Sequence, residues 1–205
     1  MNLGILGIKG GTGKTTIAKC FAAYFGYPYI TNDLVGRWEP KYQQIEAKLK
    51  RIPAALCRTS QTVYDFGAMS THIDPKVAHL ASLAHVFVLP TKVDYDSLMA
   101  VIETYKLVQP IGKPIVIVIN DVFKDVSYTN AVATLRCALG QNIIIMRINR
   151  TTLAHRLCED GIDWLANIHN DKGTKVLKKT WSNICRVLEE IHQIAERQYE
   201  ATNSR

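Results

Sequence analysis

Apolar residues along this chain fall into short continuous runs, separated by longer stretches in which they recur every three or four positions. The runs are residues 3–8, 62–64 leading into Asp65, 85–89, 115–119 ending at Asn120, and 142–148, with 27–31 a weaker member. Uninterrupted Val, Ile and Leu, rather than alternation with polar residues, predicts strands covered on both faces, as in a parallel sheet. The intervening segments 15–25, 41–51, 96–108 and 128–139 read as helices, ending before Pro53 and Pro110 or at Gly140. Strand and helix alternate, so the expected fold class is α/β: a doubly wound, mostly parallel sheet flanked by helices. No repeat or linker interrupts residues 1–205, which read as a single domain. Residues 175–200 read as one long helix with Ile184, Val187, Leu188, Ile191, Ile194 and Ala195 on one stripe.

Glu189, Glu190, Glu196 and Glu200 lie opposite that stripe. A helix lying on an anionic membrane would carry cations there, so the pattern predicts docking onto the core. Charge elsewhere is basic: 25 Lys and Arg against 18 Asp and Glu give a formal net charge of +7, which favours polyanionic partners. Cys20, Cys57, Cys137, Cys158 and Cys185 form no C-x-x-C pair and have no metal-ligand spacing with histidine. With neither a secretory pattern nor an apolar run near the roughly 20 residues that span a bilayer, the expected location is cytoplasmic.

The candidate chemistry lies in Lys9-Gly10-Gly11-Thr12-Gly13-Lys14-Thr15-Thr16, between the first strand and the first helix. Residues without side chains let successive backbone N–H groups turn onto phosphate oxygens, and the positive end of the following helix adds to that field. Lys14 would reach the β- and γ-phosphates, and the Thr15 hydroxyl would ligate Mg²⁺. Ile8 stands where the G-x-x-x-x-G-K-[ST] pattern has its first glycine, and Lys9 precedes the double glycine.

This string resembles the deviant Walker A box, K-G-G-x-G-K-[ST], of the ParA/MinD superfamily. The resemblance implies a P-loop ATPase using ATP and Mg²⁺. It also implies a sandwich dimer in which Lys9 reaches the nucleotide of the other subunit, as an arginine finger does. Thr31-Asn32-Asp33-Leu34 falls where the family usually shows Asp-x-Asp-Pro. Asp33 matches the second aspartate, which helps to position the attacking water, while Thr31 and Leu34 depart from the pattern. Val63-Tyr64-Asp65-Phe66-Gly67 is similar to the family's Walker B end, making Asp65 the candidate to hold Mg²⁺ through water. Residues 86–91 resemble the family's strand ending in a proline turn. Asn120 ends a strand whose terminal asparagine meets the adenine, with an amide suited to a base edge. Ile148 replaces a proline of the base-flanking loop.

No cluster cysteines or paired transport cysteines are present, so the chain most resembles a short ParA-type partition ATPase. This implies non-specific DNA binding through basic residues of the C-terminal half, where Arg147, Arg150, Arg156, Lys175, Lys178, Lys179 and Arg186 are the candidates. It also implies hydrolysis stimulated by a centromere-binding adaptor protein. Two alternatives share the loop: a conjugation or T-DNA-transfer accessory ATPase of the VirC type, and a metabolic ligase similar to dethiobiotin synthetase.

Overall fold

The first apolar run becomes strand β1, Asn2–Ile5, at the centre of a sheet whose hydrogen-bonded pairs are all parallel. The structure is a computed structural model describing residues 1–31, 43–44, 61–66, 82–153 and 175–204, of which 43–44 and 175–177 are described by backbone only. Helix α1, Lys14–Phe25, follows β1, and β2 is Tyr29–Thr31. Next come β3, Gln43–Gln44, β4, Thr62–Asp65, and β5, Val86–Thr91. Helix α2, Tyr95–Val108, precedes β6, Ile115–Val122. Helix α3, Asp125–Leu139, strand β7, Ile144–Asn149, and helix α4, Lys175–Asn203, complete the described elements. The strand order is β3-β2-β4-β1-β5-β6-β7. Because β1 sends the chain first towards β2 and later towards β5, its C-terminal edge lies at the switch point where parallel α/β sheets bind ligands.

Alternation along each strand divides the core between the two faces. Leu3, Ile5, Val63, Val88 and Val118 pack with α1 and α4. Tyr64, Phe87, Leu89, Ile117 and Ile119 pack with α2 and α3. Each of these side chains is fully buried, a transfer worth about 1.5–3 kcal/mol apiece. The continuous apolar runs thus mean what they predict, a sheet covered on both faces.

Two segments differ from expectation. Residues 41–51 read as a helix, yet Gln43 and Gln44 pair with Ile30 and Thr31 as a short strand. Backbone pairing with β2 overrides a weak local preference there; the remainder of that predicted helix lies outside the described residues. Pro90 is the second: expected as a turn after the strand, it sits inside β5, opposite Val118. Val88 accepts from Leu6 N at 3.0 Å, so the backbone of Pro90, two residues on, faces the same β1 side. Strand β1 has ended by then, and the missing N–H of Pro90 removes no ladder bond.

Helix α4 docks as its stripe requires, with Trp181, Ile184, Leu188, Ile191 and Ala195 buried. Part of its acidic side also meets α1. Glu189 accepts from the Tyr24 hydroxyl, and that hydrogen bond, with burial, pushes the phenol up to about 12. His192 is 2.6 Å from the Tyr27 hydroxyl and stacks on Phe25 with centroids 4.3 Å apart. No described helix is long and apolar enough to cross a membrane.

Candidate functional site

The loop between β1 and α1 adopts the conformation its glycines permit. Gly11 and Gly13 have φ of 73° and 93°, values that side-chain-bearing residues rarely adopt. Gly13 caps α1 without a side-chain cap hydrogen bond, and the first turn holds no acidic residue. Uncapped donors at a helix N-terminus carry partial positive charge and attract an anion. A methyl group added to Gly10 or Gly11 would meet nothing within 4 Å, so both glycines border open space. The Thr12 hydroxyl is buried without a hydrogen-bond partner. Orphaned hydroxyls of this kind are rare in native structures and point to a polar ligand.

Lys14 extends into this loop. The residue is only 6% exposed, and its Nζ donates to Lys9 O at 2.8 Å. Gly7 allows the approach, since a Cβ there would stand 3.3 Å from Lys14 Cδ. Thr15 and Thr16, in the first turn of α1, are half-buried. The chain enters the loop at Ile8, whose N–H donates to Thr104 Oγ1 on α2 at 3.2 Å. This bond anchors the position that carries no glycine.

Lys9 lies at the rim. Its Nζ is 3.0 Å from Asp94 Oδ1, and the same oxygen accepts from Ser97 N as the N-cap of α2. Burial acts to raise the Asp94 carboxyl, but hydrogen bonds from Ser97 and Lys9 outweigh it and hold the group at about 2. A folded-state value below the ordinary one means that this carboxylate adds stability at neutral pH, an advantage lost as pH falls towards 2. A carbon-detected NMR titration should therefore place the Asp94 midpoint near 2 rather than at the ordinary 3.8, and Lys9→Ala should move it upward. With side chains 35% and 50% exposed, the pair is a surface ion pair worth about 0–1 kcal/mol, so Lys9 is readily released.

Asp65 ends β4 beside β1, with Ile5 as its register partner. It is fully buried and accepts from the Tyr29 hydroxyl at 2.7 Å. Sequence reasoning missed Tyr29, because the contact depends on the β2–β4 register. Removing this donor from a buried carboxylate should cost about 1–2 kcal/mol, so Tyr29→Phe is expected to lower the urea midpoint accordingly. Asn120, near the end of β6, turns towards the loop: its Nδ2 is 3.5 Å from Thr12 O, and its Oδ1 accepts from Asp121 N at 2.8 Å. Asp33 lies outside the described residues.

No protein-family model matches the chain, and no curated protein sequence matches it. Solved structures do match. The septum site-determining protein MinD of Pyrococcus horikoshii, complexed with Mg-ADP, superposes with a TM-score of 0.64 and 11% identity over 96% of this chain and 98% of that one. McdA from Cyanothece, in its apo form, gives 0.61 with 15% identity over 91% and 98% of the two chains. A putative plasmid partition protein of Borrelia burgdorferi, bound to AMPPNP, gives 0.60 with 15% identity over 92% and 98%. The chain has the ParA/MinD fold. Within that fold, Lys9 through Gly13 lie in the loop after the central strand and Lys14 through Thr16 open α1, while Asp65 ends β4 and Asn120 lies near the end of β6.

The basic residues expected to meet DNA are only partly gathered. Arg147, Arg150, Lys179 and Arg186 surround a cavity of about 460 Å³ between β7 and α4. Lys178 is half-buried nearby on α4. Arg156 lies outside the described residues, and Lys175 is described by backbone only. The charge count gave no sign that two of these arginines are ion-paired, Arg147 with Asp125 at 2.6 Å and Arg150 with Asp121 at 2.7 Å.

Proposed function

We propose that this chain is a Mg²⁺-dependent ATPase of the ParA type, acting in DNA segregation through a nucleotide-driven dimer. The observation that carries the reading is the glycine loop with its left-handed Gly11 and Gly13 and two lysines, Lys14 buried and Lys9 at the rim. One cation serves the nucleotide of its own subunit, and the other is placed to leave Asp94 for the nucleotide of a partner.

The residues fit both ligands. Backbone N–H groups of Gly10, Gly11, Thr12, Gly13, Thr15 and Thr16, with the Thr12 hydroxyl, suit polyphosphate oxygens. The Thr15 hydroxyl and the Asp65 carboxylate form the oxygen set that Mg²⁺ prefers, and bound Mg²⁺ would neutralise charge on the β- and γ-phosphates. Lys14 stabilises the charge that develops on the transferred phosphoryl group, and Lys9 adds a second positive charge from the other subunit. Asp33 orients the attacking water, and Asn120 meets the base. The ATP-bound dimer binds DNA non-specifically through its basic C-terminal half, until a centromere-binding adaptor stimulates hydrolysis.

Light scattering with and without ATP tests the dimer, and a gel shift with non-specific duplex at low and high salt tests its output. Wild-type protein is expected to dimerise and bind duplex only with ATP. Asp33→Ala should remain dimeric long after the wild type has hydrolysed its ATP and separated. Duplex binding that is indifferent to ATP would refute the segregation reading, and Asp33→Ala hydrolysing at the wild-type rate would remove Asp33 from the mechanism.

A further inference from the structure

The cavity between the end of β7 and α4 is separate from the phosphate loop. Strand β7 lies three places from β1 in the sheet, which puts it about 14 Å across the strands from the phosphate loop. Its cationic lining is Arg147 and Arg150 from the strand end and Lys179 and Arg186 from the helix, with Thr180 and Asn183 adding a hydroxyl and an amide. No carboxylate among the described residues lines it. Lys179, Asn183 and Arg186 are spaced by four and then three residues, which aligns them along one helix face.

The two arginines are held side-on. Arg150 gives Nε and NH2 to Asp121 at 2.7 and 3.3 Å, and its guanidinium stacks over Phe123. Arg147 gives Nε to Asn149 Oδ1 at 2.6 Å and NH2 to Asp125 at 2.6 Å, lying over the Tyr128 ring. A guanidinium has five N–H donors, so each keeps free donors on its remaining edge. Lys179 and Arg186 make no ion pair with any described residue. The site therefore combines two fixed guanidiniums with two cations that have no ion-pair partner among the described residues.

We propose that this cavity is a second anion site, which takes a compact phosphorylated ligand of about nucleotide size. Shape decides against a duplex as its main occupant. About 460 Å³ is within the roughly 300–1,000 Å³ typical of small-ligand pockets. A DNA-binding face buries on the order of 1,000–2,500 Å² of protein surface. The cavity concentrates its cations on one small volume.

Inorganic pyrophosphate is the probe, titrated calorimetrically into wild-type protein saturated with ADP and, separately, into Lys14→Ala. One site is expected in both. The Lys179→Ala/Arg186→Ala variant, with unchanged circular dichroism, should bind at least about tenfold more weakly, from the loss of two charge-assisted hydrogen bonds. Asp121→Asn should bind several-fold more tightly, because it removes the carboxylate that competes for Arg150. Asn tolerates the positive φ of 58° at that position, so this variant should remain folded. Absence of binding in both proteins would overturn the proposal. So would loss of the site on ADP saturation, which would assign the cavity to the nucleotide site. Binding of a 20-base-pair duplex to the ADP-saturated protein, lost in Lys179→Ala/Arg186→Ala, would also overturn it. None of these readouts requires ATP hydrolysis or dimerisation, so failure of the segregation reading would leave the result interpretable.

Discussion

Lys14→Ala is expected to abolish nucleotide binding while leaving the fold intact. The lysine is almost fully buried, and its ammonium is held inside the loop by Lys9 O at 2.8 Å. A polyphosphate oxygen is a strong, charge-assisted partner for a buried ammonium. Losing two charge-assisted bonds in a water-poor loop is worth about 3–6 kcal/mol, or roughly 10²–10⁴-fold in affinity. Fluorescence anisotropy with a labelled ATP analogue would measure the loss, and circular dichroism would check the fold. Lys14→Arg is a useful companion. It keeps the charge, but its planar fork must fit where the lysine stem passes the bare Gly7 backbone, so only partial recovery is expected. Wild-type affinity in Lys14→Ala would place the nucleotide elsewhere.

The parts of this site that were legible in the sequence are those fixed by local chemistry. Glycine at positions 11 and 13 indicates backbone that other residues rarely adopt, and both have positive φ. The strands were legible because a face-covered sheet needs apolar residues at successive positions, as in 3–8 and 115–119. Strand β3 was not, because Gln43 and Gln44 have no apolar signal and become a strand only by pairing with β2. The Tyr29–Asp65 bond spans 36 residues of sequence and depends on register, which no local pattern encodes. Charge behaved in the same way. Counting cations located a basic half, but their pairing with Asp121 and Asp125 depends on how the ends of β6 and β7 meet. That meeting gathers two of the expected cations, Arg147 and Arg150, at the rim of one cavity.

Lys9 shows how a residue can be recognised without its resting place being foreseen. Its position before the double glycine implies a reach to another subunit. In the single chain it is instead tied to Asp94, the carboxylate that starts α2. The two roles are compatible because the pair is exposed and weak. Releasing Lys9 leaves Asp94 with its Ser97 bond, so the cap of α2 survives the exchange.

Gly13→Ala should be the most damaging substitution in the loop for the folded state itself. Gly13 has φ 93° and ψ 18°, a region that costs an alanine roughly 1–2 kcal/mol. Its new Cβ would also lie 2.2 Å from Asn120 Nδ2, far inside contact distance. Asn120 would have to withdraw and give up its approach to Thr12 O. The expected total is about 3 kcal/mol, measured by urea unfolding, with nucleotide affinity falling as the loop distorts. Gly10→Ala is the control: a methyl group there meets nothing within 4 Å and the backbone has no positive φ, so the change should be within about 0.5 kcal/mol. The double variant Gly13→Ala/Asn120→Ala separates the two causes, since it removes the overlap and leaves the backbone strain. It should recover about half of the loss, a coupling that independent sites would not show. If Gly13→Ala proved as stable as the wild type, both the left-handed turn at the start of α1 and the contact of Asn120 with the loop would be wrong.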